Sequence, residues 1–179
     1  MNRIDWLNFA LEVLMKKGPE FLRIGPLCEQ KGVTKGSFYH HFKNRAEFID
    51  ALMSHWYEKV TLAFIEQANT QVSALQRLEE LDRVIAAEDI EAENHIRAWA
   101  LKEPNIGEHL AKIDSKRQGY LCECYIELGL DPDFAKDVAL MAYANFLGMQ
   151  QIHPRPRIED ALRIAALGPK TMLSALGTV

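Results

Sequence analysis

Apolar residues recur every three or four positions along almost the whole chain. Ile4, Leu7, Leu11 and Leu14 set this spacing at the start, and Gly18-Pro19 ends the segment. Such a repeat is typical of an amphipathic helix with one buried face. Because no segment shows the strict alternation of a half-buried strand, the pattern predicts an all-α protein.

The second and third predicted helices are short. Gly25-Pro26 suits the start of a second helix, because proline at the first helical position loses no hydrogen bond. Thr34 is a good N-cap for a third helix that runs to about His41. The Asn-x-x-Glu pattern of residues 44–47 predicts a capping box. It opens a long fourth helix.

The rest of the chain continues the helical pattern. One side of the fourth helix is apolar, at Phe48, Leu52, Trp56, Val60 and Phe64. Further helices are expected near 73–88, 90–102, 105–127, 132–150 and 158–176. The prolines of the sequence HPRPR at 153–157 predict an extended loop. About nine helices result, with residues 1–46 as one domain and residues 47–179 as a helical bundle joined to it by the fourth helix.

Residues 26–41 have the order of a helix-turn-helix, with Gly32-Val33 as the turn. At about 100° per residue, Phe38 and Phe42 share one face of the third helix, which should pack inward. Gly36 and His40 lie on the opposite face. A small, polar front on an apolar back suits a helix that lies in the major groove of DNA.

The same stretch carries a family resemblance. The sequence GVTKGSFYHHFKNRAEFIDAL, preceded by LNFALEVLMKKG, resembles the N-terminal domain of TetR-type bacterial transcriptional regulators. It meets every position of the usual motif from Gly32 to Phe48, and the resemblance covers roughly the first 65 residues. Lys31, where the family usually has a small alanine, and Gly25-Pro26, where it usually has Thr or Ser, depart from the pattern.

The resemblance implies a DNA-binding role for one set of residues. The base-facing positions would be Lys35, Gly36 and His40. Phosphate contacts would come from Ser37, Tyr39, His41 and Arg45, and Thr34 completes the expected DNA-binding set.

Charge changes this picture only slightly. The chain has a net charge of −4, but residues 1–50 hold eight Lys/Arg against six acids, and the remaining residues hold 13 against 19. The first segment is therefore +2 and the rest −6, which favours a polyanionic partner at one end. The segment 138–149 is too short and too interrupted to span a bilayer, and no secretory signal is evident, so the cytoplasm is the expected location.

Metal and catalytic chemistry are weak alternatives. Cys28, Cys122 and Cys124 lack the spacing of a zinc site and are interpreted as structural, so no cofactor is expected. His40 and His41 point about 100° apart on a helix. A helical enzyme could use His95 or His109 with nearby glutamates, and a helical adaptor could bind protein only. No phosphate loop or nucleophile elbow supports an enzyme.

The C-terminal bundle is expected to dimerise and to bind an effector. The resemblance favours a homodimer interface in the last two helices, through Phe134, Val138, Met141, Phe146, Met149, Leu162 and Leu173. Residues that could line a ligand pocket are Trp56, His95, Trp99, Tyr120, Tyr143 and Asn145. The implied function is a homodimeric repressor, released from a palindromic operator by an unknown small molecule.

Overall fold

A computed structural model of the chain describes residues 2–88 and 91–168. Across these residues the regular structure is entirely helical, as predicted. The α-helices are α1 (Arg3–Lys17), α2 (Ile24–Lys31), α3 (Lys35–Tyr39), α4 (Arg45–Tyr57), α5 (Ala63–Ala68), α6 (Ala74–Ala86), α7 (Glu91–Ala100), α8 (Pro104–Glu127), α9 (Pro132–Met149) and α10 (Ile158–Ala165). A 3₁₀ turn (Pro19–Phe21) follows α1, and a π-helical turn (Glu58–Leu62) joins α4 to α5.

The fourth predicted helix is continuous but not uniform. It runs from Arg45 to Ala68, and the π turn in its middle adds one residue to the helical repeat. Counted as one segment, it brings the described part of the chain to nine helical segments, the expected number. None of the helices in residues 2–88 and 91–168 is long and apolar enough to cross a membrane.

The described residues form two compact units. The first comprises 2–60 and 91–112, so it contains α1 to α4, α7 and the start of α8. The second comprises 61–88 and 113–168. The domain boundary predicted from the sequence, between residues 46 and 47, separates a DNA-binding domain from a helical bundle and stays a prediction. The structural boundary differs from it because α7 packs against α1.

An aromatic cluster forms the core of the first unit. Trp6 of α1 meets Phe38 edge to face, with ring centroids 5.5 Å apart, and Phe42 and Phe48 lie 5.2 Å from Phe38. Each of these four side chains is at most 1% exposed. Edge-to-face aromatic pairs add to the free energy gained from burial alone. The predicted inward face of α3 is therefore confirmed.

The core of the second unit joins α6, α8 and α9. Its buried members include Leu78, Tyr120, Tyr125, Val138 and Ala139. Asp131 caps α9 by accepting hydrogen bonds from the backbone N–H groups of the first turn, and Pro132 is the first helical residue. Both features agree with the sequence prediction.

Several predicted boundaries were wrong. Helix α2 begins at Ile24 with Arg23 at the N-cap, so Pro26 lies inside the first turn rather than at its start. Helix α3 ends at Tyr39. Asn44 accepts the Glu47 N–H at 2.9 Å, but the Glu47 carboxylate accepts from Lys43 N–H instead of closing the capping box.

The last predicted helix, 158–176, is interrupted within the described range. It is observed as α10 (Ile158–Ala165), and after a turn at Ala166 residues 167 and 168 are helical again. Positions 169–176 of that prediction lie outside the described residues. The loop predicted at 153–157 is confirmed.

Candidate nucleic-acid interface

A left-handed glycine separates the two short helices of the motif. Gly32 follows α2 with a φ of 68° and a ψ of 33°, a conformation that glycine adopts without a steric penalty. Val33 N–H donates to the Cys28 carbonyl oxygen at 2.9 Å and closes the end of α2. Helix α3 then begins at Lys35, so the helix-turn-helix predicted from the sequence is present.

Helix α3 has one buried and one open side. Phe38 lies in the core, while Tyr39 is 51% exposed. The residues predicted to meet DNA all lie on α3 or beside its ends. Exposed members are Thr34, Lys35, Gly36, Tyr39, His40 and Arg45, and half-buried members are Ser37 and His41.

Gly36 is not required by its own chain. A Cβ placed on it would lie 3.5 Å from the Thr34 hydroxyl oxygen, which is an ordinary contact distance. Glycine inside a helix costs about 0.5–1 kcal/mol relative to alanine. The packing of the chain itself therefore does not require glycine at position 36.

The side chains of Lys35 and Tyr39 each pack against a nearby residue. The Lys35 side chain passes over Gly25 of α2. Its Cε lies 4.0 Å from the position that a Cβ on Gly25 would occupy. Burial raises the pKa of the Cys28 thiol, and the positive charge of Lys35 partly offsets this. The Tyr39 ring stands perpendicular to Phe38, with centroids 5.5 Å apart. Tyr39 thus packs on the core while half of its surface stays exposed.

Arg3 of α1 meets the C-terminal end of α3. Its Nη1 donates to the His41 carbonyl oxygen at 2.8 Å and to Glu47 Oε1 at 3.3 Å. Its guanidinium carbon lies 4.6 Å from the centroid of the Phe42 ring. The backbone N–H of Lys43, and then Arg3, hold the pKa of Glu47 below its usual range. Sequence reasoning assigned no such contact to Arg3, since it joins residues 38 positions apart.

The two histidines of the motif are neighbours without the surroundings of a metal site. Their ring centroids lie 4.9 Å apart. Across residues 2–88 and 91–168, no three His, Cys, Asp or Glu side chains come together in a way that could hold a metal ion.

Two of the side chains considered for an enzyme, Glu93 and His109, have partners within the chain. Glu93 is buried, and its Oε1 accepts hydrogen bonds from Arg97 Nη2 and Nε at 2.7 and 3.0 Å. His109 Nε2 lies 3.1 Å from Asp50 Oδ1. Both pairs belong to the first unit, and each is a contact between helical residues.

The predicted ligand-binding residues divide between the units. Trp56, Trp99 and the half-buried His95 belong to the first unit. In the second, the Tyr120 hydroxyl donates to Asn69 Oδ1 at 2.9 Å. The Tyr143 hydroxyl donates to Asp114 Oδ1 at 2.7 Å, and Asn145 is half-buried. Both tyrosines are 5% exposed, so their hydroxyl groups are held inside a packed bundle.

The predicted interface residues of α9 do not share one face. Phe134 and Met141 are 54% and 56% exposed, whereas Val138 is 3% exposed and belongs to the core. Phe146, Met149 and Leu162 are half-buried, and Leu173 lies outside the described residues. An exposed strip that the sequence analysis did not single out runs along Leu140, Met141, Ala144 and Gly148.

Comparison with known proteins agrees with this geometry. Residues 7–52, which contain most of α1 and all of α2 and α3, match the profile of the bacterial regulatory proteins of the tetR family. Residues 7–52 are therefore similar to the N-terminal domain of that family. No curated protein sequence matches the chain.

Solved structures of transcriptional regulators share the fold over nearly the whole chain. A regulator from Streptomyces coelicolor has a TM-score of 0.79 at 13% identity, and the match covers 97% of this chain and 88% of that one. A transcriptional regulator from Rhodococcus sp. Rha1 has a TM-score of 0.77 at 17% identity, with 98% and 97% covered. A candidate TetR-family regulator from Rhodococcus sp. matches with a TM-score of 0.77 at 21% identity, with 94% and 97% covered. At these identities the similarity establishes the fold.

Proposed function

We propose that this chain is a sequence-specific DNA-binding transcriptional regulator. The open side of α3 carries the proposal: a glycine with room for a side chain stands among exposed polar residues in a TetR-family domain. In helix-turn-helix proteins the second helix lies in the major groove, and residues near its N-terminus meet the base edges. Gly36 would let the α3 backbone approach the bases closely.

Selection from a random duplex library tests the proposal most directly. Purified protein would be equilibrated with the library near physiological salt, and the bound fraction would be sequenced. We expect a two-fold symmetric motif to be enriched. Binding that selects no sequence and only weakens as salt rises would contradict the proposal, because phosphate contacts alone carry no sequence information.

The proposed contacts divide into base-facing and phosphate-facing residues. Lys35, Gly36 and His40 would face bases. The phosphate-facing set would be Ser37, Tyr39, His41 and Arg45, and Thr34 completes the DNA-binding set. Replacing Lys35 and His40 together by alanine should abolish sequence preference, whereas an adaptor that binds only protein would be unaffected. Arg45→Ala should weaken binding to all sequences and reduce the salt slope by about 0.9.

A homodimer would read two half-sites about 34 Å apart, or a multiple of that distance. The strip of Leu140, Met141, Ala144 and Gly148 favours α9 as its interface. Three apolar side chains and a glycine there follow a helical spacing on the exposed side. Phe134, near the start of α9, is also exposed.

An effector would act by changing operator affinity. We propose repression, with release by a small molecule bound in the C-terminal domain, residues 47–179, away from the DNA-binding domain of residues 1–46. A coupling free energy of about 1–3 kcal/mol would lower operator affinity by roughly 5- to 150-fold. A thermal-shift screen of small molecules, followed by operator release measured by fluorescence polarisation, tests it. A compound that stabilises the protein without changing operator affinity would contradict this role.

No catalytic activity or cofactor is part of the proposal. Glu93, one of the glutamates considered for catalysis, is bonded to Arg97, and His109 lies beside Asp50. A DNA-binding regulator needs access to the chromosome, so we expect the protein in the cytoplasm.

A further inference from the structure

One arginine links the three segments that meet at the C-terminal end of α3. Arg3 belongs to the first turn of α1, the His41 carbonyl follows α3, and Glu47 lies in the first turn of α4. Glu47 uses its second oxygen to accept the Lys43 N–H at 2.9 Å, which fixes the turn between α3 and α4. Arg3 therefore contacts both the end of α3 and the residue that shapes the following turn.

Helix α3 is short, so contacts at its ends bear directly on its orientation. It contains five residues, and Phe38 alone among them is buried. The His41 carbonyl lies two residues beyond α3, and a donor from another helix at that point restrains the rotation and tilt of α3 about the Phe38 anchor. The Arg3 guanidinium also covers the Phe42 ring at 4.6 Å, which restrains the same end through packing.

We propose that Arg3 is a positioning residue for sequence recognition, an inference that rests on the proposed DNA-binding function. Arg3 holds α3 at the angle at which Lys35, Gly36 and His40 reach base edges. Its own contacts are to protein groups. Without them α3 would still fold and would still meet phosphates, but its base contacts would lose their register.

This role differs from a contribution to stability. The Arg3 and Glu47 side chains are 45% and 37% exposed, and half-exposed ion pairs contribute little to the free energy of folding. Removing the pair should therefore leave the melting temperature nearly unchanged. The expected signature is a loss of discrimination between operator and non-operator DNA in a protein that remains folded.

The test uses the full chain and an operator selected with the unaltered protein. Dissociation constants would be measured for the operator and for a scrambled duplex, at several salt concentrations, for Arg3→Gln, Arg3→Lys, Glu47→Gln and Arg3→Gln/Glu47→Gln. Lys16→Gln, an exposed change near the other end of α1, is the matched control. Melting temperatures from circular dichroism would confirm folding.

For Arg3→Gln we expect operator affinity to fall about tenfold, the equivalent of about 1.4 kcal/mol. Affinity for the scrambled duplex should change less than about twofold, with an unchanged salt slope, because no phosphate contact is lost. Arg3→Lys should keep only part of the discrimination, because an ammonium group lacks the planar fork of arginine. The double variant should lose less than the sum of the single losses, because the two residues act together.

Three results would overturn the inference. Equal losses on both duplexes, with the salt slope reduced by about 0.9, would show that Arg3 binds a phosphate. Full rescue by Arg3→Lys would show that charge alone matters. Unchanged discrimination in Arg3→Gln would show that the contact has no role in recognition. If the unaltered protein selected no operator, the proposed function itself would fail and the inference with it.

Discussion

Glycines 32 and 36 lie four positions apart and have different physical reasons to be glycine. Gly32 has a positive φ, which a residue with a Cβ adopts only with strain. Gly36 has helical geometry, and a Cβ there would meet only the Thr34 hydroxyl at 3.5 Å. The fold accounts for the first glycine, whereas the proposed close approach of DNA would account for the second.

Replacing Gly36 by alanine should therefore separate stability from function. We expect Gly36→Ala to raise the free energy of unfolding by about 0.5 kcal/mol, because alanine loses less backbone entropy than glycine in a helix. Operator affinity should fall at least about tenfold, since the methyl group would occupy the space that base edges need. Thermal denaturation and fluorescence polarisation on the selected operator measure the two effects.

Gly32→Ala is the matched control for this prediction. The same atom is added four residues earlier, where no other heavy atom lies within 4 Å of the new Cβ but φ is 68°. It should lower the free energy of unfolding by about 1 kcal/mol through backbone strain. If both variants changed stability in the same direction, the account of one of the glycines would be wrong.

In helix α6, the ionised form of the Asp82 carboxyl is disfavoured by its surroundings. Asp82 is half-buried, and burial, followed by repulsion from Glu79, raises its pKa to about 6. Tyr125 of α8 is affected in turn, because its own burial and the charge of Asp82 raise its pKa to about 12. The Asp82 carboxyl is therefore better accommodated in the fold when it is protonated.

The sign of the pH dependence follows from this raised pKa. In the unfolded chain Asp82 loses its proton near pH 4, whereas in the folded protein it keeps the proton up to about pH 6. Its contribution to stability is present below pH 4 and is lost as the pH rises through 6. We expect Asp82→Asn to raise the free energy of unfolding at pH 7 by about 1–3 kcal/mol. Urea denaturation at pH 5 and pH 7 measures this change.

Glu79→Gln serves as the comparison for Asp82→Asn. It removes the smaller cause of the raised pKa and leaves the burial of Asp82 intact. We expect a gain at pH 7 that is clearly smaller than the gain from Asp82→Asn. A gain of equal size would mean that repulsion, rather than burial, governs the Asp82 pKa.

Most helices could be predicted from local signals, and the deviations have identifiable causes. The breaks at Gly18 and Gly129 and the cap at Asp131 depend on neighbouring residues only, so the sequence was sufficient. The π turn in the fourth helix involves distant partners. Buried Thr61, within that turn, accepts a hydrogen bond from Arg117 Nε at 3.0 Å, 56 positions later. No local sequence pattern predicts such a contact.

At the scale of the whole molecule, the exposed apolar strip of α9 predicts self-association. Leu140 and Met141 are 55% and 56% exposed, although an apolar surface of this kind normally packs against another surface. Leu140→Glu/Met141→Glu should shift the protein from dimer to monomer, because two carboxylates from each copy would meet at the two-fold axis. Sedimentation velocity over a range of concentrations measures the change.

Val72→Glu is the matched control for the dimer prediction. It places the same charge in the same unit, at a loop position that is 90% exposed. Its sedimentation should equal that of the unaltered protein. A dimer that persists in the α9 double variant would locate the interface elsewhere. The operator affinity of the monomer should also fall, since one half-site offers half of the contacts.

The sequence by itself determined the class of fold, most helix boundaries and the motif of α3. These depend on helical periodicity, on glycine and proline, and on which residues flank a helix end, all of which act over a few positions. The tertiary structure decided which apolar residues are exposed: Val138 enters the core and Leu140 does not. It also brought Arg3 to the end of α3 and α7 against α1. These features depend on contacts between residues far apart in the chain, which arise only when the helices pack.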